Sequence, residues 1–104
     1  MKLDRAKGTR DFGPAEKIVR DNVISDIKQV FESFGYSPLE TPMIERFDVM
    51  AAKAGEDSDV ASEMFRLTDQ GGRELGRRFE MTFPLARYVG MNPMMKLPFR
   101  RYQM

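Results

Sequence analysis

An acid and a hydroxyl stand two residues apart in the segment from Gly76 to Val89. If the chain is extended there, Glu80 and Thr82 point to the same face, because side chains i and i+2 of a strand share a face. A carboxylate accepts hydrogen bonds and a hydroxyl donates or accepts them, so the two could hold an ammonium group together. A plainer interpretation is that Thr82 caps the helix that follows while Glu80 pairs with Arg77 or Arg78. The spacing alone favours the plainer interpretation, and both stay open at this point.

Five arginines are the next residues whose chemistry could matter. Guanidinium groups bind phosphates through two parallel hydrogen bonds. The five are Arg77, Arg78, Arg87, Arg100 and Arg101. Acids are interspersed among them, so we expect ion pairs or a solvated surface rather than a phosphate site. Arg100 and Arg101 are adjacent and point to opposite faces of a strand, so at most one of the two faces a given pocket.

No other motif indicates a metal ion or a nucleotide. The glycines at Gly8 and Gly71-Gly72 lack the spacing of a phosphate-binding loop. The chain has no cysteine and no histidine, which excludes disulfides, thiolate ligands and an imidazole base. Its carboxylates show no regular spacing that would suggest a metal site or a catalytic acid pair. The residues by themselves therefore indicate no metal site.

The composition is typical of one small domain or of a piece of a larger one. The chain has 104 residues, of which 32% are charged, and its net charge is +1. So small a net charge gives no argument for binding nucleic acid or membranes by bulk electrostatics. No apolar run approaches the roughly 18 residues of a membrane helix, and Met1–Arg5 lacks the apolar core of a secretory signal. We expect a cytoplasmic protein.

A long amphipathic helix is predicted from Pro14 to Phe34. Pro14 suits the first helical position, where its missing N–H costs nothing. Gly35 suits a left-handed residue just after the helix. Apolar residues recur along it at spacings of three and four, which is the period of one helix face. This stripe comprises Ala15, Ile18, Val19, Val23, Ile24, Ile27, Val30, Phe31 and Phe34.

The remaining patterns predict shorter elements. In order, these are an extended edge strand at 36–42, a helix at 45–54, an acidic loop at 55–59, a hairpin of strands 64–68 and 73–80, a helix at 82–92 and the beginning of a strand at 97–104. Gly76 is expected to weaken the second hairpin strand. This order fits an α+β fold with helices flanking an antiparallel sheet. Because no turn or cap follows the last strand, we expect the chain to be part of a larger protein.

Four segments in a particular order resemble a known family. They are the Lys-Gly-Thr-Arg-Asp-Phe opening at 7–12, the run Phe-Gly-Tyr-Ser-Pro-Leu-Glu-Thr-Pro at 34–42, the run Arg-Phe-Glu-Met-Thr-Phe-Pro-Leu-Ala-Arg-Tyr-Val at 78–89, and Phe-Arg-Arg-Tyr-Gln at 99–103. Together they are similar to the N-terminal part of the catalytic domain of histidyl-tRNA synthetase, a class II aminoacyl-tRNA synthetase, of the archaeal or eukaryotic type. The resemblance covers residues 6 to 104.

The resemblance implies a role for each segment. Residues 14–42 correspond to class II motif 1, residues 77–82 to the amino-acid-binding strand, and residues 99–104 to the start of motif 2. Glu80 would supply the counter-charge to the α-ammonium group of histidine, Thr82 a hydrogen bond, and Arg78 support for the pocket. Motif 1 implies a homodimer interface at Ile27, Val30, Phe34 and Pro42. The carboxylate at Glu80 is kept although Phe79 stands where family members often carry Tyr or Pro.

The resemblance also implies an activity. Family members activate histidine with ATP and Mg²⁺ to histidyl-adenylate and then transfer the histidyl group to the 3′ end of tRNA(His). The rest of the catalytic domain and the anticodon-binding domain would lie beyond these residues, including the ATP-binding arginine of motif 2. We therefore expect a parent ligase that acts on histidine, ATP and tRNA(His) as a homodimer. The 104-residue chain alone would hold no catalytic residue, bind no cofactor and be inactive.

Three alternatives stay open. One is the synthetase-like regulatory subunit of ATP phosphoribosyltransferase in histidine biosynthesis, which shares the motif 1 region and has a similar Arg-Pro-Asp-Met-Thr run. Phe79 and the stretch Arg-Tyr-Val-Gly-Met-Asn at 87–92 favour the synthetase over it. Another is a class II synthetase for threonine, proline or glycine. The last is a dimerising α+β unit that binds no ligand.

Overall fold

A computed structural model describes residues 1–52 and 59–104. In chain order its elements are α1 (Pro14–Ser33), β1 (Ser37–Pro38), β2 (Ile44–Arg46), α2 (Phe47–Ala51), α3 (Asp59–Glu63), β3 (Arg66–Thr68), β4 (Glu74–Arg77), α4 (Thr82–Met91) and β5 (Arg101–Tyr102). The chain divides into two compact units, residues 1–37 and residues 38–104.

The first unit is dominated by the long helix α1. Pro14 occupies the start of the helix, as predicted. Beyond its last residue, the Gly35 N–H donates to the Glu32 carbonyl at 3.0 Å, and Gly35 has a φ of +80°. That left-handed conformation is one glycine adopts without steric cost. The predicted helix is confirmed to within one residue at its C-terminal end.

The apolar stripe of α1 is exposed. No residue of this helix is buried. Val30 keeps 58% of its surface exposed and Phe34 keeps 72%. Ile27 and Phe31 are more covered, at 42% and 37% exposed, but the stripe gains its full hydrophobic stabilisation only when another surface covers it.

A three-stranded antiparallel sheet forms the centre of the second unit. Its order is β2-β4-β3. Leu75 on the middle strand lies opposite Leu67 of β3 and Arg46 of β2. The turn between β3 and β4 is closed by Asp69, whose carboxylate accepts the N–H groups of Gly71 and Arg73 at 2.9 and 3.0 Å. The predicted hairpin is confirmed.

Gly76 is buried in the middle strand, and the reason is the close approach of Met64. A Cβ added at Gly76 would lie closer than 3.0 Å to the Met64 sulfur. The sequence interpretation, in which Gly76 weakens the strand, therefore missed its main consequence. The absence of a side chain makes room for a methionine that packs against the core pair Phe47 and Ala51.

The prediction that a helix begins at residue 45 is wrong about its first residue. Ile44, Glu45 and Arg46 form β2 and pair with β4, and the helix α2 begins at Phe47. Glutamate and arginine are good helix formers, but tertiary pairing outweighs such local propensities. Met50 in α2 is completely buried. Of the predicted acidic loop, residues 55–58 lie outside the described ranges, and Asp59 begins α3.

The second unit ends with α4 and β5. α4 confirms the predicted helix and stops before Asn92, but its N-cap is Met81 and not the predicted Thr82. β5 joins β1 in a two-stranded sheet, which continues where the Leu39 N–H donates to the Tyr102 carbonyl at 3.0 Å. Both strands are shorter than predicted, because prolines near them cannot donate to a strand ladder.

Candidate functional site

The Glu80 carboxylate lies at the N-terminus of α4. Its Oε2 accepts the Thr82 N–H at 2.7 Å, and its Oε1 accepts the Phe83 N–H at 2.7 Å. The first N–H groups of a helix have no partner within the helix, and the helix dipole favours negative charge there. Two strong backbone bonds therefore fix both oxygens of Glu80.

This geometry corrects both interpretations made from the sequence. β4 ends at Arg77, so Glu80 lies in the turn and Thr82 is the first residue of α4. The two residues do not share a strand face, yet the turn brings them together. A cap does exist, but the carboxylate of Glu80 supplies it instead of the hydroxyl of Thr82. The structure places Arg78 elsewhere, on Thr41, and Arg77 at the exposed end of β4.

The surroundings of Glu80 keep it ionised at neutral pH. Partial burial by itself would raise its pKa. Hydrogen bonds from Phe83 and Thr82, together with the positive charge of Arg101, outweigh that effect and hold the pKa of Glu80 below its ordinary value of 4.5. Each carboxylate oxygen can accept more than one hydrogen bond. An anchored, charged acceptor of this kind can still bind an ammonium group.

Beneath the Glu80 turn, Arg78 belongs to a hydrogen-bonded network with Thr41 and Gln103. Arg78 Nη1 donates to the Thr41 carbonyl at 2.9 Å and to Thr41 Oγ1 at 3.0 Å. With the Gln103 amide oriented to satisfy its neighbours, its oxygen accepts from Arg78 Nη1 at 2.9 Å, Thr41 Oγ1 at 2.7 Å and Thr41 N at 3.0 Å. Only 4% of Thr41 is exposed. We call this the Thr41–Arg78–Gln103 network.

The other arginines have separate surroundings. Arg87 forms an ion pair with Glu45, with Nη2 2.8 Å from Oε1 and Nε 2.9 Å from Oε2. Arg101 points toward the start of α4, where its Nη2 lies 3.5 Å from the Met81 carbonyl oxygen. Arg100 is exposed. Sequence reasoning missed Glu45 and Gln103, and no signal in the sequence could have found them, because their partners are 42 and 62 residues away.

The residues expected at a dimer interface lie in both units. Ile27, Val30 and Phe34 lie on the exposed stripe of α1. Pro42 belongs to the second unit and is also exposed.

Within residues 1–52 and 59–104, no group of three or more Asp or Glu side chains is arranged to hold a metal ion. The helices in the same ranges include none that is long and apolar enough to cross a membrane.

Similarity to known proteins decides the family. A family model described as histidyl-tRNA synthetase matches residues 8–102. The chain belongs to this family. That match includes α1, the Glu80 turn and β5, and it covers all of the segments that carried the sequence resemblance except Lys7 and Gln103 at their outer ends.

Curated relatives from bacteria and archaea match the chain about equally well. Histidine–tRNA ligase 1 of Bacillus cereus is 39% identical over 103 residues, which are 99% of this chain and 24% of that protein. The histidine–tRNA ligase of Korarchaeum cryptofilum is 42% identical over 97 residues, which are 92% of this chain and 22% of that protein. The chain therefore spans about a quarter of the length of the curated relatives it matches.

Solved structures agree with the fold. The histidyl-tRNA synthetase of Nostoc sp. PCC 7120 matches with a TM-score of 0.83 at 32% identity, over 99% of this chain and 24% of that one. A Bacillus halodurans C protein described as an ATP phosphoribosyltransferase regulatory subunit/histidyl-tRNA synthetase matches with a TM-score of 0.79 at 27% identity, over 99% and 27%. The predicted α+β class, with helices and an antiparallel sheet as in the synthetase catalytic domain, is confirmed.

Proposed function

We propose that this chain is the N-terminal part of the catalytic domain of a cytoplasmic enzyme that ligates histidine to its tRNA. Residues 14–42 would be motif 1, residues 77–82 the amino-acid-binding segment, and residues 99–104 the start of motif 2. The observation that carries the proposal is the ionised, doubly anchored carboxylate of Glu80, in a chain whose curated relatives are histidine–tRNA ligases.

Glu80 and Thr82 would hold the α-ammonium group of histidine. The two backbone bonds fix the carboxylate in one orientation, so a substrate does not have to order it. Its charge favours an ammonium group over a neutral amine. Thr82 is exposed beside it, and its hydroxyl is near enough to bond Glu80 and lower the pKa of that carboxyl. A bound ammonium group would donate hydrogen bonds to the oxygen atoms of these two side chains.

In the parent enzyme, ATP would supply the adenylyl group that activates the histidine carboxylate, with pyrophosphate as the leaving group, and Mg²⁺ would neutralise the phosphate charge. The part that we propose for this chain is to bind and orient histidine. The 104 residues alone are expected to be inactive and to bind no cofactor.

The parent enzyme would act as a homodimer. The exposed stripe of α1, with Ile27, Val30 and Phe34 in its C-terminal half, supplies a continuous apolar surface. Two copies of such a surface could bury each other in a two-fold symmetric contact. The family resemblance also assigns Pro42 to the motif 1 interface.

The test uses the full-length protein and histidine-dependent exchange between ATP and pyrophosphate. Glu80→Gln keeps the size of the side chain but removes its charge. Hydrogen bonds to charged groups contribute about 1.5–3 kcal/mol, so the KM for histidine should rise about 10- to 100-fold while the KM for ATP changes less than about twofold. Glu74→Gln, at the exposed start of β4, makes the same chemical change away from Glu80 and is the matched control. An unchanged KM for histidine in Glu80→Gln would refute the assigned role.

The regulatory subunit of ATP phosphoribosyltransferase is the second candidate, because one structurally similar protein carries both descriptions. A subunit of that kind would give no histidine-dependent exchange and would instead stimulate a phosphoribosyltransferase. Exchange driven by threonine, proline or glycine in place of histidine would point to another class II synthetase.

A further inference from the structure

Gln103 follows β5 and reaches the turn that carries Glu80. Its amide oxygen accepts three hydrogen bonds, from Arg78 Nη1, Thr41 Oγ1 and Thr41 N, at 2.7 to 3.0 Å. Arg78 comes two residues before Glu80. The Arg78 backbone N–H also donates to the Met43 carbonyl at 2.9 Å, so both the backbone and the side chain of this residue are held.

Arg101 contacts the same turn just after Glu80. Its Nη2 lies 3.5 Å from the carbonyl oxygen of Met81, the residue just after Glu80. Gln103 and Arg101 are two residues apart, so both point to the same face of the β5 segment. The C-terminal end of β5, together with Gln103, therefore contacts Arg78 before Glu80 and Met81 after it.

We propose that Gln103 is a positioning residue for the amino-acid site, and that it sets the orientation of Glu80 through Arg78. The expected effect on histidine binding rests on the proposed function, whereas the effect on the orientation of Glu80 does not. Without the amide oxygen, the N–H of the buried Thr41 would lose its acceptor and Arg78 Nη1 would lose one of its three acceptors. The backbone around Arg78 would then move to satisfy the Thr41 N–H. A shift at Arg78 then moves Glu80 relative to the first N–H groups of α4.

The geometry separates this role from general support of the fold. Gln103 is neutral, so Gln103→Leu changes no charge near Glu80. None of the hydrogen bonds described for Gln103 goes to Glu80 or to α4. The Thr41–Arg78–Gln103 network is therefore the direct route by which replacing Gln103 would affect Glu80.

The first experiment measures hydrogen exchange of the Thr82 and Phe83 amides in the full-length protein, with Gln103→Leu against Gln70→Leu. Gln70 lies at the exposed hairpin turn, so the control makes the same chemical change away from the network. Loss of the buried acceptor should speed exchange of these two amides about tenfold. Gln103→Glu keeps an acceptor oxygen and should restore protection. Unchanged protection in Gln103→Leu, or an equal loss throughout the chain, would overturn the proposal.

The second experiment measures the two Michaelis constants in ATP–pyrophosphate exchange. Gln103→Leu should raise the KM for histidine about tenfold and leave the KM for ATP within about twofold, whereas a loss of folding would affect both. If the wild-type protein shows no histidine-dependent exchange, the proposed function fails, and hydrogen exchange still decides the positioning role. Lost amide protection with an unchanged KM for histidine would reject positioning of the site. If Gln103→Leu does not fold, Thr41→Val removes only the hydroxyl of the network and carries the same two measurements.

Discussion

Arg87 on α4 forms an ion pair with Glu45 on β2, in which two guanidinium nitrogens donate hydrogen bonds to the carboxylate. The distances are 2.8 Å from Nη2 to Oε1 and 2.9 Å from Nε to Oε2. The Glu45 side chain is only 5% exposed and that of Arg87 is 24% exposed. This pair fixes the helix that begins beside Glu80 against the edge strand of the sheet.

Arg87→Met should therefore destabilise the protein by about 2–3 kcal/mol, because it leaves the buried carboxylate of Glu45 without its partner. Arg46→Met is the matched control, since Arg46 pairs with Asp48 where both side chains are more than half exposed, and should cost less than about 1 kcal/mol. Urea denaturation of the full-length variants measures both losses. Equal losses of unfolding free energy in the two variants would show that the buried Glu45–Arg87 pair stabilises the protein no more than the exposed pair.

Gly76→Ala tests the close packing of Met64 on the middle strand. The new methyl group would overlap the Met64 sulfur, and such overpacking should cost about 1–3 kcal/mol. Gly90→Ala is a contrasting control, because nothing lies within 4 Å of that position in α4; it should stabilise the helix by about 0.5–1 kcal/mol. Thermal melting separates the two expectations, which have opposite signs. A neutral Gly76→Ala would mean that Met64 moves aside freely.

The cap formed by Glu80 predicts a specific pH dependence. Because the folded-state pKa of Glu80 is lowered from 4.5, the ionised form stabilises the folded protein. That stabilisation is complete above pH 4.5 and is lost as the pH falls through the folded-state pKa. Glu80→Gln should thus be less stable than the wild type by about 1 kcal/mol at neutral pH, and the difference should shrink in acid. Denaturation curves recorded from neutral pH to below pH 4.5 measure the stability difference between the two proteins. A difference that grows as the pH falls would contradict this expectation.

The exposed stripe of α1 predicts self-association through that helix. Val30→Asp places a charge in the stripe and should weaken dimerisation of the full-length protein at least about tenfold. Gln29→Asp introduces the same residue on the polar face and should leave the dimer intact. Sedimentation velocity over a range of concentrations measures both. A wild-type protein that stays monomeric at tens of micromolar would reject the interface.

The sequence predicted well the elements whose signals are local. Helix α1 has a proline at its start, a glycine after its end and an apolar stripe between them, so its limits were right to within a residue. The hairpin and α4 have similar local signals. The limits of β2 could not be predicted in this way, because Glu45 and Arg46 favour a helix locally and are held extended only by pairing with Gly76 and Leu75.

By itself the sequence determined the family pattern, the α+β class and the presence of an acid and a hydroxyl near the start of α4. Tertiary structure decided how those two residues meet. The strand ends at Arg77, so Glu80 turns onto the free N–H groups of the helix, and their bonds keep its carboxylate charged. Tertiary structure also decided the partners of Gln103 and Glu45, which are distant in sequence. Side-chain hydrogen bonds depend on proximity in space, so they produce no periodic pattern of residues in the sequence.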